Sequence, residues 1–468
     1  MSENNASKKQ GVLGEHAVVI GGSIAGCLTA RVLSDYFERV TIFEADTPPD
    51  EAVPRKGVPQ GRHVHALLAG GARVIRNYFP GIHNYLVATG AEYGDPLISW
   101  RLFIGERWSP RVESGLESYL MSRPLLEALV RKHTVAIPNI TLRIATSVSA
   151  YISGSIRSES NARVTGVRLE STDEEIAADF VVDAAGRNSS ASKFIEAMGF
   201  TPPERTIIGV DVGYVSFEVA EPPGNDRDWS LLTTGQANIP EDTRAGTIIC
   251  IEGDRYLVAA IGVQKDYPPT DWPGFLAFLK SLPVTSVYDE IKDLEPTGEA
   301  REYRFASYLR RHYERLQDFP EGLIVLGDAM SSINPAYGQG MTVAANEVEY
   351  LDSCLQQCLE SGSTKAIAQP FFKGAAKIID AAWDGVSVED FRYPQTRGER
   401  PKGYSLAKWL NSKFFALSGT NHEFAVAFTK VFHLLEPPSS VLKPKYLLKA
   451  LFAKKPVFDK SPPAQRST

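Results

Sequence analysis

The feature that most constrains the fold is a glycine-rich turn between two apolar segments early in the chain. HAVVIGG, from His16, is a short apolar run that ends in glycines, CLTARVLSDYF has apolar residues at helical spacing, and RVTIFEAD is a second apolar run that ends in acids. Strand, turn, helix and strand within about thirty residues predict a β-turn-α-β unit. Such a unit is the nucleotide-binding half of a parallel α/β sheet.

The turn, VIGGSIAG, has the small residues that a dinucleotide site requires. Gly21 permits the tight turn and Gly26 permits close packing of the helix on the strand. Ser23 replaces the middle glycine of the usual GxGxxG pattern, and its small side chain still leaves room for a phosphate. Glu44, at the end of the second strand, can accept both ribose hydroxyls of an adenosine. Because no Arg stands beside it, FAD or NAD is expected rather than NADP. The alternative is a glycine-rich turn without a ligand.

A second motif, GLIVLGDAMSSINPAYGQGMTVAANE, follows about three hundred residues later. An apolar run leads to Gly327-Asp328 at a predicted strand end, and a loop with Pro335 and two glycines then leads into a helix. A helix N-terminus suits the partly anionic edge of a flat ring. Asp328 is expected to accept hydrogen bonds from ribityl hydroxyls.

These two runs together resemble the FAD-dependent monooxygenases of the para-hydroxybenzoate hydroxylase type (group A), in which two distant segments hold one FAD. The RKGV segment at 55–58 resembles the family segment whose Arg reaches the FAD pyrophosphate, and Ser122-Arg123 resembles its Arg-bearing helix start. VVDAAGRNSS resembles the middle fingerprint but departs from its usual Asp-Gly. A narrower resemblance over nearly the whole chain, including DFRYPQTRGERP, is to flavin-dependent epoxidases of polyether and polyene intermediates.

The resemblance implies a set of FAD-binding residues drawn from all of these segments. The set comprises Gly21, Gly22, Ser23, Ile24, Ala25, Gly26, Glu44, Ala45, Arg55, Lys56, Gly57, Val58, Arg123, Val148, Gly186, Gly327, Asp328, Pro335, Gly338, Gly340, Met341 and Thr342. No residue is assigned as catalytic. Arg62 and His65 are candidates for the flavin edge, with local packing as the alternative. His63 and His65 lack a third ligand at metal spacing, so no metal site is expected.

The predicted fold class is α/β (α+β): a Rossmann-like FAD-binding domain, an inserted antiparallel-sheet substrate domain and a helical C-terminal region. Residues 82–110 are expected to form mixed strands, whose aromatic residues either line a substrate cavity or belong to the core. The predicted parts are a disordered lead-in (1–14), the FAD-binding domain (15–80, 119–200 and 306–364), the substrate domain (81–118 and 201–305), the helical region (365–455) and a tail (456–468).

Composition excludes several classes of protein. The net charge of −6 provides no basic face for nucleic acid, and no apolar stretch reaches the length of a membrane span. The N-terminal residues lack the apolar core of a signal peptide. Four cysteines without metal-ligand spacing predict free thiols in a reducing compartment, hence a cytoplasmic protein. The basic run LLEPPSSVLKPKYLLKALFAKKP is expected to be a packed helix, with peripheral membrane contact as the alternative.

The predicted function is an FAD-dependent monooxygenase that uses O2 and NADPH or NADH. Through a flavin C4a-hydroperoxide it would epoxidise or hydroxylate a small apolar natural-product intermediate, and no clear Asp-His or Tyr relay for phenol activation is recognisable. One alternative is a flavin-dependent reductase of an isoprenoid or other apolar substrate. A halogenase is not favoured because the Trp-x-Trp-x-Ile-Pro run is missing. A scaffold without turnover is the third alternative. The substrate, the choice of reductant and the oligomeric state remain open.

Overall fold

The computed structural model of the protein describes residues 12–104, 107–154 and 162–453. Its strands are β1 (Gly14–Ile20), β2 (Phe37–Phe43), β3 (Ala66–Leu67), β4 (Glu92–Gly94), β5 (Trp100–Ile104), β6 (Arg107–Trp108), β7 (Ser118–Leu120), β8 (Ile140–Arg143), β9 (Val148–Ser153), β10 (Val164–Leu169), β11 (Glu175–Ala177), β12 (Phe180–Asp183), β13 (Arg205–Ala220), β14 (Leu231–Gly235), β15 (Arg244–Ile251), β16 (Arg255–Gly262), β17 (Arg301–Arg311), β18 (Leu323–Val325) and β19 (Ser331–Ser332).

The helices follow the same chain order. They are α1 (Ile24–Leu33), α2 (Ala69–Tyr78), α3 (Ile82–Ala88), α4 (Pro96–Ser99), α5 (Arg123–Val135), α6 (Ala191–Ala197), α7 (Trp272–Lys280), α8 (Ser286–Ile291), α9 (Gly340–Ser361), α10 (Ala368–Asp390), α11 (Tyr404–Ser418), α12 (His422–Phe432) and α13 (Pro444–Phe452).

A parallel five-stranded sheet forms the first layer, in the order β18-β12-β1-β2-β8. The strands nearest its centre are buried on both faces, as in β1, where Val18 and Val19 are fully buried. This burial explains their continuous apolar sequence. Helix α1 leaves the carboxyl end of β1 and packs between α5 and α9. The predicted β-turn-α-β unit is therefore confirmed.

An antiparallel sheet of eight strands forms the second layer, in the order β19-β17-β13-β16-β15-β14-β5-β6, with one parallel pair, β14 and β5. Strands β15 and β16 form a hairpin that turns at Gly253, since Ile251 pairs with Arg255. Helix α7 covers this sheet with Phe275, Phe278 and Leu279. The α/β fold class predicted from the sequence is thus confirmed. Strand β17 runs on to Arg311, past the expected boundary at 305/306.

The segment expected to consist of mixed strands from residue 82 begins instead with helix α3, and the prediction is wrong there. Ile82 and Leu86 lie four residues apart and are both fully buried, which is the spacing of one helix face. The aromatic residues of this segment divide between surface and core. Tyr85 is 52% exposed, whereas Phe103 is fully buried.

The C-terminal part of the described chain is helical, as expected. Helix α10 packs on α9, and helices α11, α12 and α13 enclose their own apolar core, which includes Phe414, Phe424 and Tyr446. Helix α13 is therefore packed on one face, while Leu448 and Phe452 on another face are exposed. None of the helices in the described ranges is both long and apolar enough to cross a bilayer. The lead-in up to residue 11 and the tail fall outside the described residues.

Candidate cofactor and substrate cleft

A cleft of about 660 Å³ opens where the carboxyl ends of the parallel strands face the antiparallel sheet. Ligands of open α/β sheets bind at this edge. Most of the predicted FAD-binding residues line the cleft, and His65 lines it with them. Those at the cleft are Gly21, Ser23, Ile24, Ala25, Glu44, Ala45, Arg55, Gly57, Val58, Arg123, Val148, Gly186, Asp328, Pro335, Gly338, Gly340 and Met341.

Three of the predicted residues that carry side chains, Lys56, Arg62 and Thr342, are not among the residues that line the cleft. Lys56 is exposed. Arg62 is exposed as well, because the short 3-10 helix over Pro59–Arg62 turns the Arg62 side chain outward and the His63 side chain inward. Thr342 is fully buried, and its Oγ1 lies close to the backbone of Gly71 in α2. The Thr342 N–H lies in the first turn of α9, where N–H groups have no partner within the helix.

The glycines behind the cleft wall shape it. Gly21 has φ 102°, and a Cβ on Gly26 would lie 1.8 Å from the Gly21 carbonyl oxygen. Gly22 donates its N–H to Glu44 Oε2 at 2.8 Å. Any larger residue at position 26 would push α1 away from the turn. The early glycines therefore hold the N-terminus of α1 at the cleft, with its first N–H groups unpaired within the helix.

The carboxylate of Glu44 is fixed by the backbone on both sides. Its Oε2 accepts from Gly22, and its Oε1 accepts from the Asp46 N–H at 2.8 Å. Glu44 is buried at the end of β2 and lines the cleft. Besides these bonds, the oxygens have longer contacts, of 3.3 and 3.4 Å, to Arg55. A carboxylate is an acceptor that fits the two hydroxyls of a ribose, which would donate to it.

Arg55 lies between three acids, two from the turn after β2 and one from α5. Its Nε donates to Glu127 Oε1 at 2.8 Å, and its Nη1 lies 3.3 Å from Glu44 Oε1 and 3.3 Å from Asp46 Oδ2. Glu127 lies on α5, is buried, and was not identified from the sequence. Burial by itself would raise the pKa of Glu127, but Arg123 and Arg55 hold that pKa below its usual value. In the sequence, the one feature that could have identified Glu127 is its spacing of four residues from Arg123, which places both residues on one helix face.

Arg123 begins α5 and reaches the first turn of α1. Its Nη2 donates to Ser23 Oγ at 3.1 Å, and Ser23 Oγ donates to Glu127 Oε2 at 3.2 Å. Ser122 caps the N-terminus of α5, because its Oγ accepts from the Leu125 N–H at 3.2 Å. Burial lowers the pKa of Arg123, and its Nε is buried without a hydrogen bond, 3.5 Å from Glu127 Oε2. Ser23 therefore joins a charged network in place of the usual glycine.

A buried acid that was not predicted from the sequence, Glu347, supports the second motif. Gly327, at φ 65°, donates its N–H to Glu347 Oε2 at 2.6 Å. Burial raises the pKa of Glu347 to about 8, which makes it mainly neutral at pH 7. Asp328 then faces the cleft. Burial raises the pKa of Asp328, and Arg123 and Arg187 oppose that rise.

The loop between Asp328 and α9 is supported from the late DFRYPQTRGERP segment. Asn334 Nδ2 donates to both oxygens of Asp390, at 3.1 and 3.0 Å, and the Tyr337 hydroxyl donates to Asp390 Oδ1 at 3.1 Å. Burial raises the pKa of Asp390 to about 7, against the opposing hydrogen bonds from Asn334 and Tyr337. The C-terminal region thus positions a loop that lines the cleft.

The far end of the cleft is aromatic. Tyr214 on β13 and Tyr303 and Phe305 on β17 line it, and the His63 ring lies 6.0 Å from that of Tyr214 and 5.7 Å from that of Tyr303. None of the aromatic residues at 85–108 lines this cleft. The aromatic wall comes from two strands that are far apart in the sequence, and no local sequence pattern identifies its residues.

Both histidines at the cleft are neutral at pH 7. His63 Nδ1 lies 2.8 Å from Ser216 Oγ, and His65 Nδ1 lies 2.9 Å from the His63 carbonyl oxygen. Burial lowers the pKa of each histidine to about 4, and neighbouring Arg62 and Arg123 contribute in the same direction. In the described residues, no group of three His, Cys, Asp or Glu is arranged to hold a metal ion. All four cysteines are buried free thiols, as expected.

The polar groups along the cleft fit FAD. N–H groups at two helix N-termini and the Arg123 guanidinium are donors, the Glu44 and Asp328 carboxylates are acceptors, and all of them line one channel. These groups suit phosphates, a ribose and a polyol chain. The early glycines leave room for backbone to approach a phosphate, because side chains there would meet the turn or Glu44.

The sequence matches the family model described as FAD binding domain over residues 15–371. The chain belongs to this FAD-binding family. It is an enzyme of the FAD-dependent monooxygenase type, and the resemblance to the group A enzymes is confirmed.

Individual relatives agree with this family. The chain is 28% identical over 440 residues to Protein Rv3254 of Mycobacterium tuberculosis, with 90% of each chain covered. It is 25% identical over 378 residues to 6-hydroxy-3-succinoylpyridine 3-monooxygenase HspB of Pseudomonas putida, covering 76% of this chain and 83% of that one. The fold is similar to that of PqsL, a probable FAD-dependent monooxygenase from Pseudomonas aeruginosa, with a TM-score of 0.58, 15% identity and coverage of 90% and 99%.

Proposed function

We propose that this FAD-dependent monooxygenase epoxidises or hydroxylates an apolar, polyketide- or polyene-like intermediate, with NADPH or NADH as reductant. The observation that carries the proposal is the continuity of the cleft. One end holds charged and carboxylate groups, and the other end is walled by Tyr214, Tyr303 and Phe305. A polar cofactor and an apolar substrate can therefore meet in a single space. The antiparallel sheet, which supplies the aromatic wall, is proposed as the substrate-binding part.

FAD, when bound and reduced, supplies the activation of O2. We assign its adenosine ribose to Glu44, its pyrophosphate to the N-terminus of α1 with Arg55 and Arg123, and its ribityl chain to Asp328. The flavin edge is assigned to the N-terminus of α9, which starts at Gly340. The protein's task is then to orient the substrate and to keep water away from the reacting atoms.

The groups at the aromatic end favour a substrate that needs no ionised base. Burial lowers the pKa of His63 to about 4, and it raises the pKa of Tyr214 well above its usual value. Both side chains are therefore neutral at pH 7. Epoxidation of an alkene requires only a dry, well-aimed double bond, whereas hydroxylation of a phenol benefits from a base. Hydroxylation stays within the proposal because one relative is named as a monooxygenase of a hydroxylated pyridine.

The test is a reduction and oxygenation experiment with the purified holoprotein. Flavin reduction is followed anaerobically with NADPH and NADH in parallel, and the reduced protein is then mixed with isotopically labelled O2 and a panel of alkenes and phenols. We expect one labelled oxygen atom in the product. Reduced flavin that saturates an alkene without O2, and gives no labelled product, would instead establish the reductase alternative. A slow reduction by both nucleotides would indicate a separate flavin reductase.

The cellular location is proposed on chemical grounds. Four buried free thiols fit a reducing compartment, and we therefore place the protein in the cytoplasm.

A further inference from the structure

We propose that Arg187 binds an anionic group of the substrate, so that the substrate is an apolar molecule with a carboxylate. This inference rests on the proposed function and adds a charged end to its apolar substrate. Arg187 follows Gly186, which has φ 77° at the carboxyl end of β12, and both residues line the cleft. The sequence motif around them, DAAGRNS, was noted for its glycine and not for this arginine.

The guanidinium of Arg187 is held at the aromatic end of the cleft. Its Cζ lies 4.9 Å from the centre of the Phe305 ring, and its Nη1 donates to Ser332 Oγ at 3.1 Å. A second, longer contact of 3.5 Å joins its Nη2 to Ser307 Oγ. A guanidinium has five N–H donors, so most of them remain for a ligand. The side chain is therefore oriented but not saturated.

The charge of Arg187 is not neutralised by an acid in direct contact. Among the described residues, no carboxylate oxygen lies within 4.0 Å of its guanidinium, whereas Arg55 and Arg123 both pair with Glu127. Burial lowers the pKa of Arg187, and Tyr303 and Asp328 oppose that fall at longer range. A half-buried cation without a carboxylate in direct contact gains from an anionic ligand, and a carboxylate can accept two parallel hydrogen bonds from it.

The neighbours of Arg187 assign this anion to the substrate and not to the FAD phosphates. The phosphate-binding groups proposed above lie at Ser23, Arg55 and Arg123, next to Glu44. Arg187 contacts Phe305 and Ser332 instead, on the antiparallel sheet. Its backbone is fixed by Arg311, whose Nη2 donates to the Arg187 carbonyl oxygen at 3.0 Å. A carboxylate here would leave the apolar remainder of the substrate against the aromatic wall.

The test compares charged and neutral probes of the same shape in the holoprotein. Decanoate and trans-cinnamate are titrated against their primary amides, and binding is read from the change in flavin absorbance. In the wild type, we expect each carboxylate to bind at least about 10-fold more tightly than its amide. Arg187→Gln should reduce that ratio to about 1–2. The matched control is Arg304→Gln on the same strand as Phe305, since Arg304 is 60% exposed and lies outside the cleft; it should keep the wild-type ratio.

The outcomes separate this inference from the proposed function. A wild-type protein that purifies without FAD and does not take it up would contradict the proposed function. A wild-type ratio near 1, no spectral response to any of the four probes, or an unchanged ratio in Arg187→Gln would overturn the role of Arg187. Loss of FAD from Arg187→Gln would also overturn it, because the residue would then hold the cofactor. A wild-type ratio near 1 overturns the role of Arg187 even if the variant does not fold.

Discussion

Arg55 and Glu127 form a buried ion pair in which Arg55 Nη2 lies 2.7 Å from Glu127 Oε1, with side chains only 7% and 6% exposed. The pair joins the loop after β2 to helix α5, and Glu127 also lies 3.5 Å from Arg123. The Glu127 carboxylate thus positions both arginines that we assign to the FAD pyrophosphate. A cofactor phosphate would meet cations that are already held in place.

Glu127→Gln should therefore destabilise the protein strongly. Breaking a buried pair leaves an unpaired buried charge, and we expect the free energy of unfolding to fall by about 3–5 kcal/mol. FAD should restore part of this loss, because its phosphates would replace the missing charge. Urea unfolding with and without FAD measures both effects. The control is Glu349→Gln, whose partner Arg73 is 42% exposed and whose loss should cost less than about 1 kcal/mol. Equal losses in the two variants would contradict the prediction.

Asp328→Ala should weaken FAD binding. A charge-assisted hydrogen bond contributes roughly 1.5–3 kcal/mol, which corresponds to a Kd about 10–150 times higher. The measurement is FAD titration of the apoprotein by fluorescence quenching. Asp318→Ala, at an exposed acid outside the cleft, is the control and should bind FAD as the wild type does. Unchanged FAD affinity in Asp328→Ala would count heavily against the assigned ribityl contact.

Glu347 should make stability depend on pH between about 4.5 and 8. Its pKa is raised to about 8 by burial, so in this range the folded state keeps a proton that the unfolded state has lost. Its contribution therefore falls by up to about 1.4 kcal/mol per pH unit as pH rises, and levels off above pH 8. Glu347→Gln, which is neutral at every pH, should lack this component. Parallel pH profiles for the two proteins, from urea unfolding, would show that Glu347 is ionised when folded.

Tyr303→Ala should uncouple flavin oxidation from product formation. Removing the ring enlarges the aromatic end of the cleft and admits water, so a larger share of the O2 consumed should appear as H2O2. The measurement is the ratio of H2O2 to NAD(P)H consumed. Tyr85→Ala is the matched control, because Tyr85 is 52% exposed and lies outside the cleft. A rise in H2O2 in the Tyr85 variant alone would place the substrate elsewhere.

Helix α13 should not bind membranes appreciably. Two of its lysines, Lys445 and Lys449, are already paired with Glu423, which weakens their attraction to anionic lipid. We expect the protein to remain in the supernatant after sedimentation with phosphatidylserine vesicles. Co-sedimentation that Phe452→Ser abolishes would reverse this prediction, since Phe452 is 83% exposed on this helix.

The parts of the site that could be predicted depend on short stretches of chain. Gly21 and Gly26 are recognisable because a tight turn and a close helix contact impose them within one βαβ unit. Glu44 is recognisable because it ends the strand that pairs directly beside β1. The prediction of a strand after residue 82 was wrong because Ile82 and Leu86 belong to a helix that is too short to repeat the apolar spacing over a second turn.

The parts that could not be predicted depend on which distant segments come together. Arg62 and His63 are adjacent in sequence. Only the short 3-10 helix that ends at Arg62 decides that Arg62 is exposed and that His63 faces the cleft. Glu127 has ionic partners, whereas Arg187 has no carboxylate in direct contact. Arg123, one partner of Glu127, lies on the same helix, but the closer partner, Arg55, comes from a segment far away in the sequence.

The sequence by itself therefore determined the parallel nucleotide-binding sheet, its FAD-type motifs and the antiparallel hairpins, because local periodicity and glycine geometry encode them. The tertiary structure alone decided the aromatic end of the cleft, the ion pair of Arg55 with Glu127 and the unpaired charge of Arg187. Burial and charge pairing depend on every neighbour in space, and those neighbours are assembled only when the two sheets pack around the cleft.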